Sequence, residues 1–281
     1  MVKERIVISN PKKFEEKKSA LIRGGAKSLH IIADFDRTLT KEFNGKNRIN
    51  TVIAQLREGN YLAPGYAAKS YALHGKYYPI EKDSKLPYEE KKEKMQEWWG
   101  THIKMIAESG MNRKVMLDII KKKKITLRNG ALKFFDELNS KKVPTLILSA
   151  ALGDFIEEIL KSEGRLYKNI HVISNFFEFD RKGNVKGYKG KIVHALNKSE
   201  AEIEKTPYMK KVLKRKNIIL LGDSTDDLDM IKGIDYENAL KIGFLNGEVE
   251  KNLKDYKKAF DVIICNDASM DFVNKLVREI R

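Results

Sequence analysis

In the stretch LHIIADFDRTLTKEF (Leu29–Phe43) an apolar run stops at two carboxylates, Asp34 and Asp36, and the chain turns polar through Thr38 and Thr40. A continuous apolar run, rather than an alternating one, is what a strand covered on both faces requires. Runs of the same kind recur as VPTLILSA (143–150), IHVISNFF (170–177), NIILLGDS (217–224), ALKIGFL (239–245) and FDVIICND (260–267). Helical patterns stand between most of them. RNGALKFFDELNSKK precedes the run at 143, GDFIEEILKSEG follows it, and TDDLDMIKGI follows the run at 217. Strand and helix alternating in this way predict an α/β protein with a Rossmann-like parallel sheet. One interruption, FEFDRKGNVKGYKG (177–190), predicts a hairpin at Lys182-Gly183-Asn184.

The region from 49 to 125 differs. TVIAQLREG, EEKKEKMQEWWGTHIKMIAESG and NRKVMLDIIKKKK read as helices, and strand signals are few. A helical cap domain at 49–125, inserted into a core built from 1–48 and 126–281, is the expected organisation. A length of 281 residues accommodates a core plus one smaller unit. No apolar run approaches the roughly 20 residues of a membrane span. The N-terminal MVKERIVISNPKKFEEKK is charged throughout, unlike a secretory signal. A single cysteine, Cys265, excludes an internal disulfide framework and fits a reducing, cytoplasmic setting. Its apolar surroundings make it a core thiol.

The net charge is +16. Its lysines are spread along the chain among 39 acidic residues, and the densest run, Lys121–Lys124, has no interleaved aromatics. That pattern disfavours a nucleic-acid binder and favours a field that attracts phosphorylated small molecules.

In open parallel sheets ligands bind beyond the carboxyl ends of the strands. Those ends carry Asp34 and Asp36, then Ser149, then Asp223 and Asp227. Helix capping could account for Ser224 or Asp226 alone. It does not account for acids at the ends of two separate strands. Crowded carboxylates repel unless a cation joins them, and Mg²⁺ takes a few carboxylate oxygens with waters and phosphate. Beside a metal-bound phosphate, one aspartate can attack phosphorus. A second, two residues on, can move the proton. The Ser149 hydroxyl and the N–H groups of Ala150 and Ala151, expected at a helix start, can hold the phosphoryl oxygens. A lysine is also required.

The series DFDRTLT, LSAA, a downstream lysine and GDSTDD resembles the haloacid dehalogenase superfamily of phosphohydrolases. The stretches LIRGGAKSLHIIADFDRTLT, YYPIEKDSKLPYEEK, EWWGTH, LSAALGDFIEEIL, HVISNFFEFDRKGNVKGYKGKIVHALNK, IILLGDSTDDLDMIKG and ALKIGFLN are similar to the cytosolic pyrimidine 5'-nucleotidase (5'-nucleotidase III) family. The resemblance implies Asp34 as nucleophile and Mg²⁺ ligand. It makes Asp36 the proton donor, with its carbonyl on the metal, and Asp223 the remaining ligand. Ser149, Ala150 and Lys198 would hold the phosphate, with Asp227 supporting the metal shell or the lysine. By position alone Lys189 and Lys191 compete with Lys198; the resemblance favours Lys198. In the cap it implies base contacts from Glu81 and His102. Trp98 and Trp99 are either a stacking platform or cap core. Departures from the family pattern are Arg37, Ala151, Asp226, His102 and the lysine-loop continuation NKSEAE.

The expected protein is a monomeric Mg²⁺-dependent 5'-nucleotidase. It would hydrolyse nucleoside 5'-monophosphates, CMP or UMP first, through an aspartyl-phosphate. A 7-methylguanosine monophosphate nucleotidase or a broader phosphatase is the alternative within the class. A nucleic-acid-binding protein on a degenerate phosphatase fold is the alternative outside it.

Overall fold

The computed structural model describes residues 5–83, 85–122, 125–198 and 206–281. Lys123, Lys124 and the lysine-loop continuation from Ser199 lie outside the described residues. The chain enters through β1 (Arg5–Ile8) and α1 (Pro11–Ser28), and β2 (Leu29–Ala33) delivers Asp34. A tight turn (Phe35–Leu39) and the ribbon β3 (Phe43–Asn44) and β4 (Asn47–Arg48) lead to the helices α2 (Val52–Glu58), α3 (Tyr66–Lys82), α4 (Tyr88–Glu108) and α5 (Arg113–Lys121). Then come α6 (Ala131–Ser140), β5 (Thr145–Leu152), α7 (Gly153–Ser162), β6 (Ile170–Phe179) and β7 (Val185–Lys189). The last third holds α8 (Pro207–Val212), β8 (Asn217–Gly222), β9 (Asn238–Leu245), α9 (Val249–Ala259), β10 (Val262–Cys265) and α10 (Asp271–Glu279).

The main sheet runs β1-β10-β9-β8-β2-β5-β6-β7. Pairing is parallel from β10 through β6, and the edge strands β1 and β7 are antiparallel. All six apolar runs are strands of this sheet. Each run is continuous because successive residues feed opposite faces. Ile31 and Ala33 enter one core with Phe14, Phe134 and Leu276, and Ile32 enters the other with Tyr208, Ile218 and Met230. Burial of Cys265 agrees with a core thiol.

From β2 the chain goes outward to β5 and β6 on one side, then returns to β8, β9 and β10 on the other. The carboxyl end of β2 is therefore the point where strand order reverses, and a crevice must open there. The predicted hairpin joins β6 to β7, with Gly183 in the left-handed region (φ 85).

Three elements differ from the sequence reading. TDDLDMIKGI forms a 3-10 turn, Thr225–Ile231, because Ser224 and Asp227 cap it reciprocally and tighten the backbone. The short edge strand β1 was not anticipated. Neither was α3, which carries Gly75 and Pro79 and spreads its aromatics around the helix. Helices α2, α4 and α5 share an apolar cluster with Leu152 and Phe155 of the α7 region and Phe177 of β6, so the helical insertion leans on one edge of the sheet. No helix among the described residues is long and apolar enough to cross a membrane.

Candidate active site

Asp34 leaves β2 with its N–H donated to Leu221 O of the neighbouring strand (3.0 Å), and its side chain is buried. The chain stops being extended at Phe35, whose ring is nevertheless fully buried. Arg37 takes the left-handed region (φ 61), uncommon for a residue with a Cβ. That conformation is held on every side. The Arg37 N–H donates to Thr40 Oγ1 (2.8 Å) and Thr40 N–H to Phe35 O (3.1 Å). The buried Arg128 guanidinium donates to Thr38 O (2.6 Å), Thr40 O (3.2 Å), Arg37 O and Asn246 Oδ1 (3.0 Å), and pairs with Asp267 (3.1 Å). One side chain thus satisfies three carbonyls of the turn that carries Asp36.

At the end of β8, Asp227 Oδ2 accepts the N–H groups of Asp223 and Ser224 (3.0 Å each). Ser224 is the cap that its residue type allowed, but Asp227 has a second task. Its Oδ1 accepts from Lys198 Nζ at 3.1 Å, and the same ammonium donates to Asp34 Oδ1. Lys198 is buried and is the lysine that meets Asp34. On the far side, Tyr256 of α9 donates to the Asp223 carbonyl. The Asp223 peptide is therefore gripped at both its N–H and its C=O.

Strand β5 does not end at Ser149. Its register against β6 jumps between Leu148 and Leu152, so Ser149, Ala150 and Ala151 form a bulge, and α7 begins only at Gly153. The expectation that Ala150 and Ala151 start a helix is corrected here, because the strand bends through them instead. The Ala151 N–H is spent on Ser149 Oγ (3.2 Å). Asn175 of β6 pins the bulge. Its Nδ2 donates to Ala150 O (2.9 Å) and Val193 O (2.8 Å), and its Oδ1 accepts from Val193 N–H (2.8 Å). The bulge carrying Ser149 and the segment leading to Lys198 are fastened to one amide.

Charge crowding is severe. Burial pushes the Asp34 carboxyl up; Lys198 opposes this, and Asp227 adds to it. Burial raises Asp36 to about 6, against the attraction of Arg37 and Lys198. Asp223 is pushed well up by burial, then by Asp227 and Asp34. Burial alone would lower Lys198, but Asp227 and Asp34 outweigh it and hold the ammonium charged above the ordinary lysine range. Carboxylate oxygens of Asp34, Asp223 and Asp227 lie within 4.8 Å of one another. A hard-oxygen cluster with one ammonium against several carboxyls fits a divalent cation such as Mg²⁺.

Glu81 and His102, expected to contact the base, fall in different places. Glu81 is half-buried near the end of α3, within electrostatic reach of Asp226 in the β8 turn. Burial raises its carboxyl, Lys82 opposes, and Asp226 adds to the rise. His102 is packed between α3 and α4. Its Nε2 meets Tyr66 OH (3.0 Å) and Ser70 Oγ (3.2 Å), and its ring stacks on Tyr66. Burial lowers it to about 4. Trp98 stacks on Tyr77 (5.9 Å, 9°), and Trp99 packs against the apolar cluster that α2, α4 and α5 share with the sheet.

Arg128, Asn175 and Tyr256 were not singled out by sequence. Asn175 left a trace as the polar residue inside IHVISNFF. Arg128 and Tyr256 left none, since each acts on backbone far away in the chain.

This sheet, with its acidic crevice at the strand-order reversal, is the haloacid dehalogenase fold of phosphatases. A phosphoserine phosphatase captured as a phospho-aspartyl intermediate analogue shares the fold (TM-score 0.51, 19% identity, covering 88% of this chain and 97% of that one). The family model described as Pyrimidine 5'-nucleotidase (UMPH-1) matches residues 37–281, and the chain belongs to that family. It is a phosphoric monoester hydrolase of the 5'-nucleotidase type. Among similar proteins, the 7-methylguanosine phosphate-specific 5'-nucleotidase A of Xenopus laevis is 34% identical over 277 residues, 98% of this chain and 96% of that protein. The Homo sapiens 7-methylguanosine phosphate-specific 5'-nucleotidase is 33% identical over 282 residues, 100% of this chain and 94% of its own length. The crystal structure of cytosolic 5'-nucleotidase IIIB bound to cytidine superposes with a TM-score of 0.88 at 29% identity, covering 99% of this chain and 94% of that one.

Proposed function

We propose that this chain hydrolyses nucleoside 5'-monophosphates through an aspartyl-phosphate on Asp34. The observation that carries the reading is the convergence of Asp34, Lys198, Asp223 and Asp227 at the end of β2 and β8. Mg²⁺ would be held by Asp34, Asp223 and the backbone carbonyl of Asp36, and once bound it supplies positive charge to the phosphoryl oxygens. Asp34 attacks phosphorus as the ester bond to the 5'-oxygen breaks. Asp36, raised to about 6 by burial, takes up a proton far more readily than a free carboxyl and gives it to the departing 5'-oxygen. The same carboxylate then takes a proton from the water that opens the aspartyl-phosphate. Lys198 and the Ser149 hydroxyl hold the equatorial oxygens while charge builds there.

Glu81 is our candidate for reading the base. A carboxylate accepts hydrogen bonds and offers none, so it suits bases that present N–H donors. Cytosine offers its amino group, and 7-methylguanine offers its N1–H and amino group. Uracil presents O4 where cytosine presents the amine. The names of the similar proteins support 7-methylguanosine monophosphate. The cytidine-bound relative supports CMP. We therefore place 7-methylguanosine monophosphate and CMP ahead of UMP.

The test is phosphate release from a panel of nucleoside 5'-monophosphates with Mg²⁺ and with chelator. 7-Methylguanosine monophosphate and CMP should turn over, only with metal, and Asp34→Asn should abolish turnover. Release by Asp34→Asn, or none from any nucleotide by the wild type, refutes the reading.

A further inference from the structure

The segment that ends in Lys198 is stiff within itself. Around the 3-10 turn Ala195–Asn197, the His194 N–H donates to Asn197 Oδ1 (2.7 Å) and the Leu196 N–H to His194 Nδ1 (3.3 Å). Asn197 Nδ2 donates in turn to Ile192 O (2.8 Å). These bonds fix the shape of the turn but not its place on the molecule. A stiff body held at one point pivots about it, and a second point stops the pivot. Asn175 supplies the first point, at Val193.

The second point comes from α4. Tyr88, its first residue, donates its hydroxyl to Leu196 O, two positions before Lys198. Among the described residues, no other side chain from outside the segment hydrogen-bonds to the turn. Burial and then the nearby Asp229 raise the Tyr88 phenol, so its proton stays in place for the carbonyl. Lys92 lies one turn further along α4, on the same face. Burial, then the charge of Lys92, lowers His194 to about 4, so this face of the helix lies over the turn. Burial does not explain Tyr88, whose ring is 47% exposed. The hydrogen bond to Leu196 O is what its position secures.

Lys198 has pairs of its own, with Asp34 and Asp227. The pair with Asp34 is surrendered when that carboxylate attacks phosphorus. The backbone must then hold the lysine in place through the step. We propose that Tyr88 is a positioning residue for Lys198, its hydroxyl fixing the lysine turn so that the ammonium meets the phosphoryl oxygens in the transition state. The inference rests on the reading of Lys198 as the group that holds those oxygens. Tyr88 bonds to none of Asp34, Asp36, Ser149 or Lys198, so it acts only through the turn. Its effect belongs in kcat, because the grip on the phosphoryl oxygens is strongest in the transition state.

The experiment uses the full chain with Mg²⁺. Tyr88→Phe keeps the ring and deletes the hydroxyl. It should lower kcat for the preferred nucleotide about tenfold, with KM within about twofold of wild type and the urea midpoint unchanged. In a Lys198→Ala background the same substitution should cost less than about twofold, because the group it places is gone. An unchanged kcat, a loss confined to KM, or an equal loss in both backgrounds overturns the proposal. A second arm needs no turnover. The NMR resonance of the Lys198 ammonium, in chain isotope-labelled at lysine and assigned by its absence from Lys198→Ala, should move in Tyr88→Phe. An unmoved resonance overturns the proposal as well. If the wild type releases phosphate from no nucleotide, the functional reading fails, and the resonance still judges whether Tyr88 sets the place of Lys198.

Discussion

Asn175 offers a severe test of how this site is built, because it touches no reacting atom. Its amide carries three hydrogen bonds, two donated to Ala150 O and Val193 O and one accepted from Val193 N–H. Asn175→Ala removes all three and leaves two carbonyls and an N–H without their partner in a buried setting. At about 1 kcal/mol net for each bond, the expected loss of stability is about 3 kcal/mol. The larger consequence is positional. The amide fastens the bulge of Ser149 to the segment that ends in Lys198, and a displacement of about 1 Å between such groups costs roughly 100-fold in rate. Asn175→Asp keeps the shape and the acceptor for Val193 N–H but sets an oxygen against two carbonyl oxygens, so it should lose at least as much. Both variants are measured by phosphate release well below their unfolding midpoints, with urea denaturation alongside. Loss concentrated in kcat is expected, since the phosphoryl oxygens are gripped hardest in the transition state. If Asn175→Ala unfolds more easily yet keeps kcat/KM within about threefold of wild type, the amide is merely structural and the reasoning is wrong.

Other perturbations probe other parts. Tyr256→Phe deletes the hydroxyl on the Asp223 carbonyl. It should weaken Mg²⁺ binding, read by calorimetry, about tenfold; an unchanged Mg²⁺ affinity would show that Asp227 alone orients Asp223. Glu81→Ala should raise KM for 7-methylguanosine monophosphate and CMP at least tenfold and leave an aryl phosphate untouched; equal effects on all would remove Glu81 from base reading. Burial lowers His30 to about 3 and both His102 and His194 to about 4. Below about pH 6.5 the unfolded chain takes up protons that these folded histidines refuse. Their stabilisation is thus complete above pH 6.5 and is lost as pH falls towards 4, by about 1.4 kcal/mol per pH unit for each. His102→Gln should flatten the decline of the urea midpoint between pH 6 and 4.5 by one such share, and parallel curves would refute it. Buried carboxyls with raised values push the other way in both proteins, so the comparison isolates the histidine.

What was legible in the sequence followed from local physics. A strand buried on both faces must be apolar at every position, so the six parallel strands announced themselves, and their polar ends announced the crevice. Asp34, Asp36, Ser149, Asp223 and Asp227 could be collected because each lies at the end of such a run or within three residues of it. Lys198 could not be, since a lysine in HALNKSE differs in no local respect from Lys189 or Lys191; only resemblance to a family selected it. The helix α3 escaped for a different reason. Its tyrosines pack both inward, as Tyr66 and Tyr77, and outward, as Tyr71 and Tyr78, so no apolar stripe forms. The bulge at Ser149 was also out of reach, since it exists only as a register difference against β6. The residues that hold the site rigid form a class of their own. Arg128 reaches back about 90 positions to the turn after Asp34, and Tyr256 reaches 33 positions to Asp223. Both bond to backbone carbonyls, which every residue type carries. Such contacts place no demand on the sequence of the partner and leave no pattern there. The chemistry of this protein is therefore written in its strand ends, while the precision of that chemistry is held by side chains that only the fold brings to them.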